Sequence, residues 1–195
     1  YFSVEVDEKT GKKCIRYALA AIKNVGVSAM EEVSKEVMNK PFTSIEDFFS
    51  RLSSKVLNKR QLESLITAGA FDSLHSNRHQ LWASLETLLT YAASCQQERL
   101  SSQQSLFGEQ SDVFKSSLLA SVNAWPSLEQ LQHEHDALGF YLSAHPLESY
   151  QDILQQLGVT PSDRIEEGAS RSGHLLLAGI PMEIKQKLSK KGKRF

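Results

Sequence analysis

Lys23-Asn24-Val25-Gly26-Val27-Ser28 is the first group of residues in this chain whose types and order could do chemistry. Gly26 permits a positive φ, and Asn24 belongs to the non-glycine type that tolerates one best, so the string reads as a tight turn between two helices. Backbone N–H groups at the start of the second helix then face solvent, where a phosphate accepts them, and Lys23 stands beside the turn. An ordinary helix connection would use the same residues. A second group, Lys59 and Arg60 with Lys55 nearby, clusters around Asn58. These cations make either a solvated helix start or a further salt-dependent, sequence-blind contact to phosphate. The third group is Gln103-Gln104-Ser105-Leu106-Phe107. Leu106 and Phe107 are bulky apolar residues in a Ser- and Gln-rich stretch, where they gain no core of their own. They read as a docking peptide received by another protein.

Two further groups hold reactive side chains without forming a site. In His133-Glu134-His135-Asp136 the two histidines point away from each other on a helix, so they share no metal, and Glu134 and Asp136 read as solvated. Ser143-Ala144-His145-Pro146 lacks the Gly-x-Ser-x-Gly elbow of a nucleophilic serine, and Pro146 reads as a first helical residue. A small hydrolase built on His133, Glu134 and His145 is therefore incomplete. No phosphate-binding Walker loop, dinucleotide fingerprint or paired catalytic carboxylates occur. No catalytic residue and no metal ligand is assigned.

The elements that must position these groups are mostly helical. Phe2, Val4 and Val6 alternate with polar residues, and Lys9-Thr10-Gly11-Lys12 predicts a turn into Ile15-Arg16-Tyr17-Ala18-Leu19, giving a hairpin that feeds a helix. Met30, Val33 and Val37 share a face of a helix from Val27 to Asn39, closed by Pro41. Thr43-Ser44-Ile45-Glu46 is a capping-box pattern before a helix that buries Ile45, Phe48, Phe49 and Leu52. Asn58 opens a helix with Leu62, Leu65 and Ile66 inward, stopped by Gly69 in the left-handed conformation. Leu81, Leu85, Leu88, Leu89 and Ala92 predict one long amphipathic helix over about 77–99, with Trp82 beside the stripe. A helix from Pro126 to Gly139 carries Leu128, Leu131, His135 and Leu138. Another carries Leu147, Tyr150, Ile153, Leu154 and Leu157 to Gly158. The apolar run 174–180 predicts a buried strand ended by Pro181.

Composition bounds the rest. The 195 residues are 41% hydrophobic and 23% charged with a net charge of −1, ordinary for a globular chain and without a global pull toward nucleic acid or membrane. Residues 185–194 are strongly basic, which by composition alone reads as a solvated tail. Cys14 and Cys95 lack metal-ligand spacing, so reduced, buried or inert thiols in a cytoplasmic protein are expected. No signal peptide or membrane-spanning run is visible. The ends at Tyr1 and Phe195 suggest part of something longer.

Three strings together resemble one family. Ile15-Arg16-Tyr17-Ala18-Leu19 with Ile22-Lys23-Asn24-Val25-Gly26 is the first. The second is Leu65-Ile66-Thr67-Ala68-Gly69-Ala70-Phe71-Asp72-Ser73-Leu74 with Asn77-Arg78, and the third runs from Glu134 to Leu147. In order, and over essentially the whole chain, they are similar to the bacterial replicative DNA polymerase III alpha subunit, from the region after its fingers to the start of its OB-fold. The usual first glycine of the helix-hairpin-helix turn is Asn24 here, which is a departure.

The resemblance implies a mainly α fold, a helical bundle with a tandem helix-hairpin-helix region, a short N-terminal β segment and a truncated C-terminal OB-fold start. It implies residues 1–99 as the helix-hairpin-helix region, 100–122 as a flexible clamp-binding linker, 123–173 as a helical connector and 174–195 as the incomplete OB-fold start. Lys23, Asn24, Val25, Gly26, Val27, Ser28, Lys59 and Arg60 would contact duplex DNA, and Gln103, Ser105, Leu106 and Phe107 the bacterial sliding clamp. Other replicase subunits would be further partners, and no membrane. The family's metal-binding palm residues have no match here, so no cofactor is expected in this segment, while Mg is expected in the parent nucleotidyltransferase. The alternative is a helical protein-interaction scaffold without nucleic-acid binding. The strings do not separate a main replicase from an error-prone paralogue.

Overall fold

The computed structural model describes residues 2–7, 10–53, 56, 58–100, 118–166 and 174–181. Their contacts divide the chain into two units, Tyr1–Leu142 and Ser143–Phe195. The first begins with the expected hairpin, strands β1 (Ser3–Val6) and β2 (Lys13–Arg16) paired antiparallel with Val4 opposite Ile15 and Glu5 opposite Cys14. Gly11, at φ 66°, makes the turn, and Arg16 donates to Glu5 at 2.6 Å across the pair. Strand alternation gathers Phe2, Val4, Val6 and Ile15 on one face, yet all four side chains are more than half exposed. Phe2 packs edge-on to Tyr17, whose ring reaches Phe140. A single 3-10 turn, Leu19–Ala21, stands where a longer helix was expected to lead into the glycine turn.

The helices follow as read from their caps. They are α1 (Val27–Asn39), α2 (Ile45–Arg51), α3 (Lys59–Thr67), α4 (Arg78–Ala83), α5 (Leu85–Leu100) and α6 (Ser127–Leu138). Ser44, one residue beyond the expected cap, accepts the Asp47 amide at 3.1 Å, and Asp47 accepts the Thr43 amide at 3.1 Å. The reciprocal box therefore uses Asp47, not Glu46. Asn58 and Asn77 cap α3 and α4 by accepting the Gln61 and Gln80 amides. Gly69 and Gly139 are left-handed, at φ 81° and 88°. One core joins Met30, Phe48, Phe49, Leu62, Ile66, Leu81, Leu85 and Leu88.

Several expectations are corrected here. The long helix over 77–99 is broken at Ser84, whose hydroxyl donates to the Gln80 carbonyl at 2.7 Å and accepts the Ala120 amide at 2.8 Å. That second bond seats the returning chain against the break, and Leu118 is already buried there, inside the stretch expected as flexible linker. Val37 and Leu128, expected inward, are exposed. Glu134, expected in water, is fully buried.

The second unit has a 3-10 turn, Glu148–Tyr150, running into α7 (Gln151–Gln156) and closed by Gly158 at φ 70°. Tyr150, Ile153 and Leu157 are exposed while Leu147 and Leu154 are half-buried, so the apolar face expected of this helix is only partly covered among the described residues. Residues 174–181 form no strand: Leu176 and Leu177 are exposed, although the Leu176 carbonyl accepts the Thr160 amide at 2.8 Å. An apolar run becomes a strand only with a ladder partner, and none stands beside it among the described residues. No described helix is long and apolar enough to cross a membrane.

Candidate nucleic-acid interface

The turn between the 3-10 helix and α1 is built on one hydrogen bond and one unusual dihedral. The Val25 amide donates to the Ile22 carbonyl at 3.2 Å, closing Ile22–Val25 as a β-turn. Its third residue must take φ > 0 in several turn types, and Asn24 does so at 64°. The positive φ is therefore Asn24's. Of the two residues the sequence offered for it, Gly26 instead has φ −80° and ψ 140° and serves as the N-cap of α1. Val25 is buried and anchors the turn.

Gly26 leaves the start of α1 open. It has no side chain to cap the helix, and the first intrahelical bond runs from the Met30 amide to the Gly26 carbonyl at 3.2 Å. The amides of Val27, Ser28 and Ala29 precede that bond, so α-helical geometry gives them no acceptor. Val27 and Ser28 are exposed, at the positive end of the helix dipole.

Lys23, also exposed, sits at the opposite kind of helix end. Its amide donates to the Ala137 carbonyl at 3.1 Å and its ammonium to the Asp136 carbonyl at 2.8 Å, both at the C-terminus of α6. The α3 helix flanks the turn on the other side. Asn24 Nδ2 donates to Ser64 Oγ at 3.3 Å, and a Cβ placed on Gly26 would lie 3.4 Å from Gln61 Nε2. The Gln61 side chain thus reaches the start of α1 from the first turn of α3, where Lys59 and Arg60 are exposed. Lys59 is already engaged: its ammonium meets Glu86 at 2.7 Å, and that hydrogen bond raises the Lys59 pKa and lowers that of Glu86. Both groups face water, so the pair is weak and a phosphate can compete with Glu86 for Lys59.

Behind this surface lies a polar cluster that sequence reasoning did not identify. Arg78 reaches Asp72 with Nε at 2.9 Å and Nη2 at 2.6 Å, the Thr67 carbonyl at 3.1 Å and Glu134 Oε2 at 3.0 Å. Glu134 Oε1 accepts the Leu142 amide at 2.6 Å. Burial works against the Arg78 charge, but its bonds to Asp72 and Glu134 outweigh this and hold it firmly cationic.

The remaining candidates do not assemble a site. His133 packs on the Trp125 ring and His135 on Tyr141. The Leu147 amide donates to His145 Nδ1 at 3.2 Å, a local turn bond. No group of three His, Cys, Asp or Glu side chains among the described residues is arranged to hold a metal. Gln103, Ser105, Leu106 and Phe107, together with Lys55 and the basic stretch 185–194, lie outside the described residues.

The Asn-Val-Gly turn that opens onto a bare helix start marks a helix-hairpin-helix motif, and a family model described as a helix-hairpin-helix motif matches residues 1–81. The chain is similar to the DNA polymerase III subunit alpha of Caulobacter vibrioides, 34% identical over 183 residues, covering 93% of this chain and 16% of that protein. The same subunit of Neisseria meningitidis serogroup B is 34% identical over 180 residues, 92% of this chain and 15% of its own length. That of Campylobacter jejuni is 31% identical over 190 residues, 96% and 16%. The chain belongs to the DNA polymerase III alpha subunit family, and it spans about one-sixth of the length of these curated relatives.

Proposed function

We propose that this chain grips the backbone of duplex DNA through its hairpin and tethers a replicative polymerase to a sliding clamp. The observation that carries the first part is the open start of α1. Amides at Val27 and Ser28 without an intrahelical acceptor, a cap without a side chain at Gly26 and an exposed Lys23 in the adjoining turn suit a phosphate. Arg60 and Lys59, on the neighbouring helix start, supply a second contact. All these donors are blind to base identity, so the interaction positions the enzyme without reading sequence.

Residues 1–99 act as the DNA-handling region and 100–122 as the linker that carries the clamp peptide. Leu106 and Phe107 fill an apolar cleft on the clamp and Gln103 bonds at its rim, with Ser105 between. Residues 123–173 connect this linker to an OB-fold start at 174–195. The family membership supports these assignments. Polymerisation itself belongs to other parts of the parent subunit, with Mg as its metal, alongside other replicase subunits in the cytoplasm.

One titration tests the reading. Binding of the full chain to a mixed-sequence duplex is followed against salt, and capture by a bacterial sliding clamp is measured with and without Leu106→Ala and Phe107→Ala. Duplex affinity falls steeply with salt, with a log–log slope of about −0.9 per phosphate contacted. The double substitution abolishes clamp capture and leaves duplex binding intact. Salt-independent duplex binding removes the hairpin from this role, and undiminished clamp capture removes the peptide.

A further inference from the structure

Lys23 ties the hairpin to the body of the first unit. The two carbonyls it engages, Asp136 and Ala137, belong to the last turn of α6, where a helix has no donors of its own to offer. One lysine closes that end twice, and its charge rests at the negative end of the α6 dipole. An ammonium has three N–H groups, and Asp136 takes one, which leaves two for a phosphate. The location of the Lys23 ammonium is therefore set by the location of the α6 terminus.

That terminus is fixed from inside. Glu134 lies in the same last turn, fully buried, between Arg78 and the Leu142 amide. Arg78 in turn spans the corner after α3, bonding Asp72 and the Thr67 carbonyl. The α3 helix carries Ser64 and Gln61, which flank the turn from its other side. A buried ion pair is a poor source of stability compared with apolar side chains of equal volume. A guanidinium fork, however, meets its acceptors in a fixed plane and so sets registry.

We propose that Arg78 and Glu134 are positioning residues for the nucleic-acid contact. The buried pair locks the last turn of α6 onto the α3–α4 corner, and α6 thereby fixes the Lys23 ammonium at its own C-terminus, one residue along the chain from Asn24 in the hairpin turn. This rests on the duplex-backbone reading of the hairpin.

A double-mutant cycle in the full chain tests it, with Lys23→Ala, Glu134→Gln and their combination binding a mixed-sequence duplex over a range of salt. Lys23→Ala weakens binding roughly five-fold, as for one charge-assisted contact at the surface, and lowers the salt slope by about 0.9. Glu134→Gln alone changes both in the same direction. In the Lys23→Ala background it adds less than about two-fold, since residues that act through one another are not additive. Amide exchange at Lys23 rises in Glu134→Gln because its Ala137 acceptor shifts. Arg78→Lys, which keeps the charge and loses the fork, carries the same cycle if Glu134→Gln does not fold. An equal loss in both backgrounds with an unchanged salt slope overturns the proposal, as does a folded Glu134→Gln that binds like the parent. If Lys23→Ala alone leaves affinity and slope unchanged, the duplex reading of the hairpin fails, and the positioning role with it.

Discussion

Gly69 and Arg78 compete for one small volume. A Cβ on Gly69 would lie 2.3 Å from Arg78 Nη2 and 2.9 Å from Asp72 Oδ2, and the glycine already sits at φ 81°. Gly69→Ala therefore incurs about 1–2 kcal/mol for the left-handed backbone. It also displaces a guanidinium whose loss from a buried pair costs about 3–5 kcal/mol. We expect a total of about 4–7 kcal/mol in urea unfolding, against about 1–2 kcal/mol for the same change at the equally left-handed Gly139, where a Cβ meets nothing within 4 Å. Asp47 gives a pH prediction. Burial pushes its pKa up, but the Thr43 amide and the charges of Arg51 and Lys40 together bring it below the ordinary 3.8. A carboxyl depressed on folding contributes stability above its unfolded value and loses it as pH falls through the folded one. The melting-temperature gap between the parent and Asp47→Asn is thus full at neutral pH and closes progressively below about pH 4. Asn58 and Gly69 could be read from sequence because capping is local chemistry. Glu134 could not: a glutamate among polar neighbours on a helix reads as solvated, and the arginine that buries it lies 56 residues away.

The elements show the same division between near and far causes. Helix α1 has the bounds that its spacing and flanking residues predict, because cap and apolar face both lie within the segment. The break between α4 and α5 was not legible. The stripe Leu81, Leu85, Leu88 runs straight through Ser84 at helical spacing, and what opens the helix there is a bond to Ala120 from a chain returning after an intervening segment. Ser84→Ala leaves the Ala120 amide without its acceptor. We expect a loss of about 1–3 kcal/mol, seen as a lower urea midpoint together with faster amide exchange at Ala120. Unchanged exchange at Ala120 would mean that another acceptor holds the returning chain. The strand expected over 174–180 failed for a related reason, since pairing is a property of two segments and the apolar run specified only one.

At the scale of the molecule, the strings that carry the family resemblance and the surface proposed to meet DNA overlap only at the turn. Gly69, Asp72, Arg78 and Glu134 all fall within those strings, so much of what identified the chain is the buried lattice behind the hairpin. The hairpin turn was legible as a shape, and its dihedral fell on Asn24 because the β-turn closes two residues earlier than the glycine suggested. A last prediction concerns the β1–β2 pair, whose Phe2, Val4, Val6 and Ile15 side chains stand in solvent. A two-stranded sheet with a bare apolar face and open edges invites pairing with another chain. Ile15→Lys is expected to delay the rise in light scattering on concentration while leaving the far-ultraviolet circular dichroism unchanged; earlier scattering would count against it. Shelf life and crystal growth of the purified chain would then be decided at one sticky ribbon near its amino end, and warming the sample to probe the helices would say little about when it spoils.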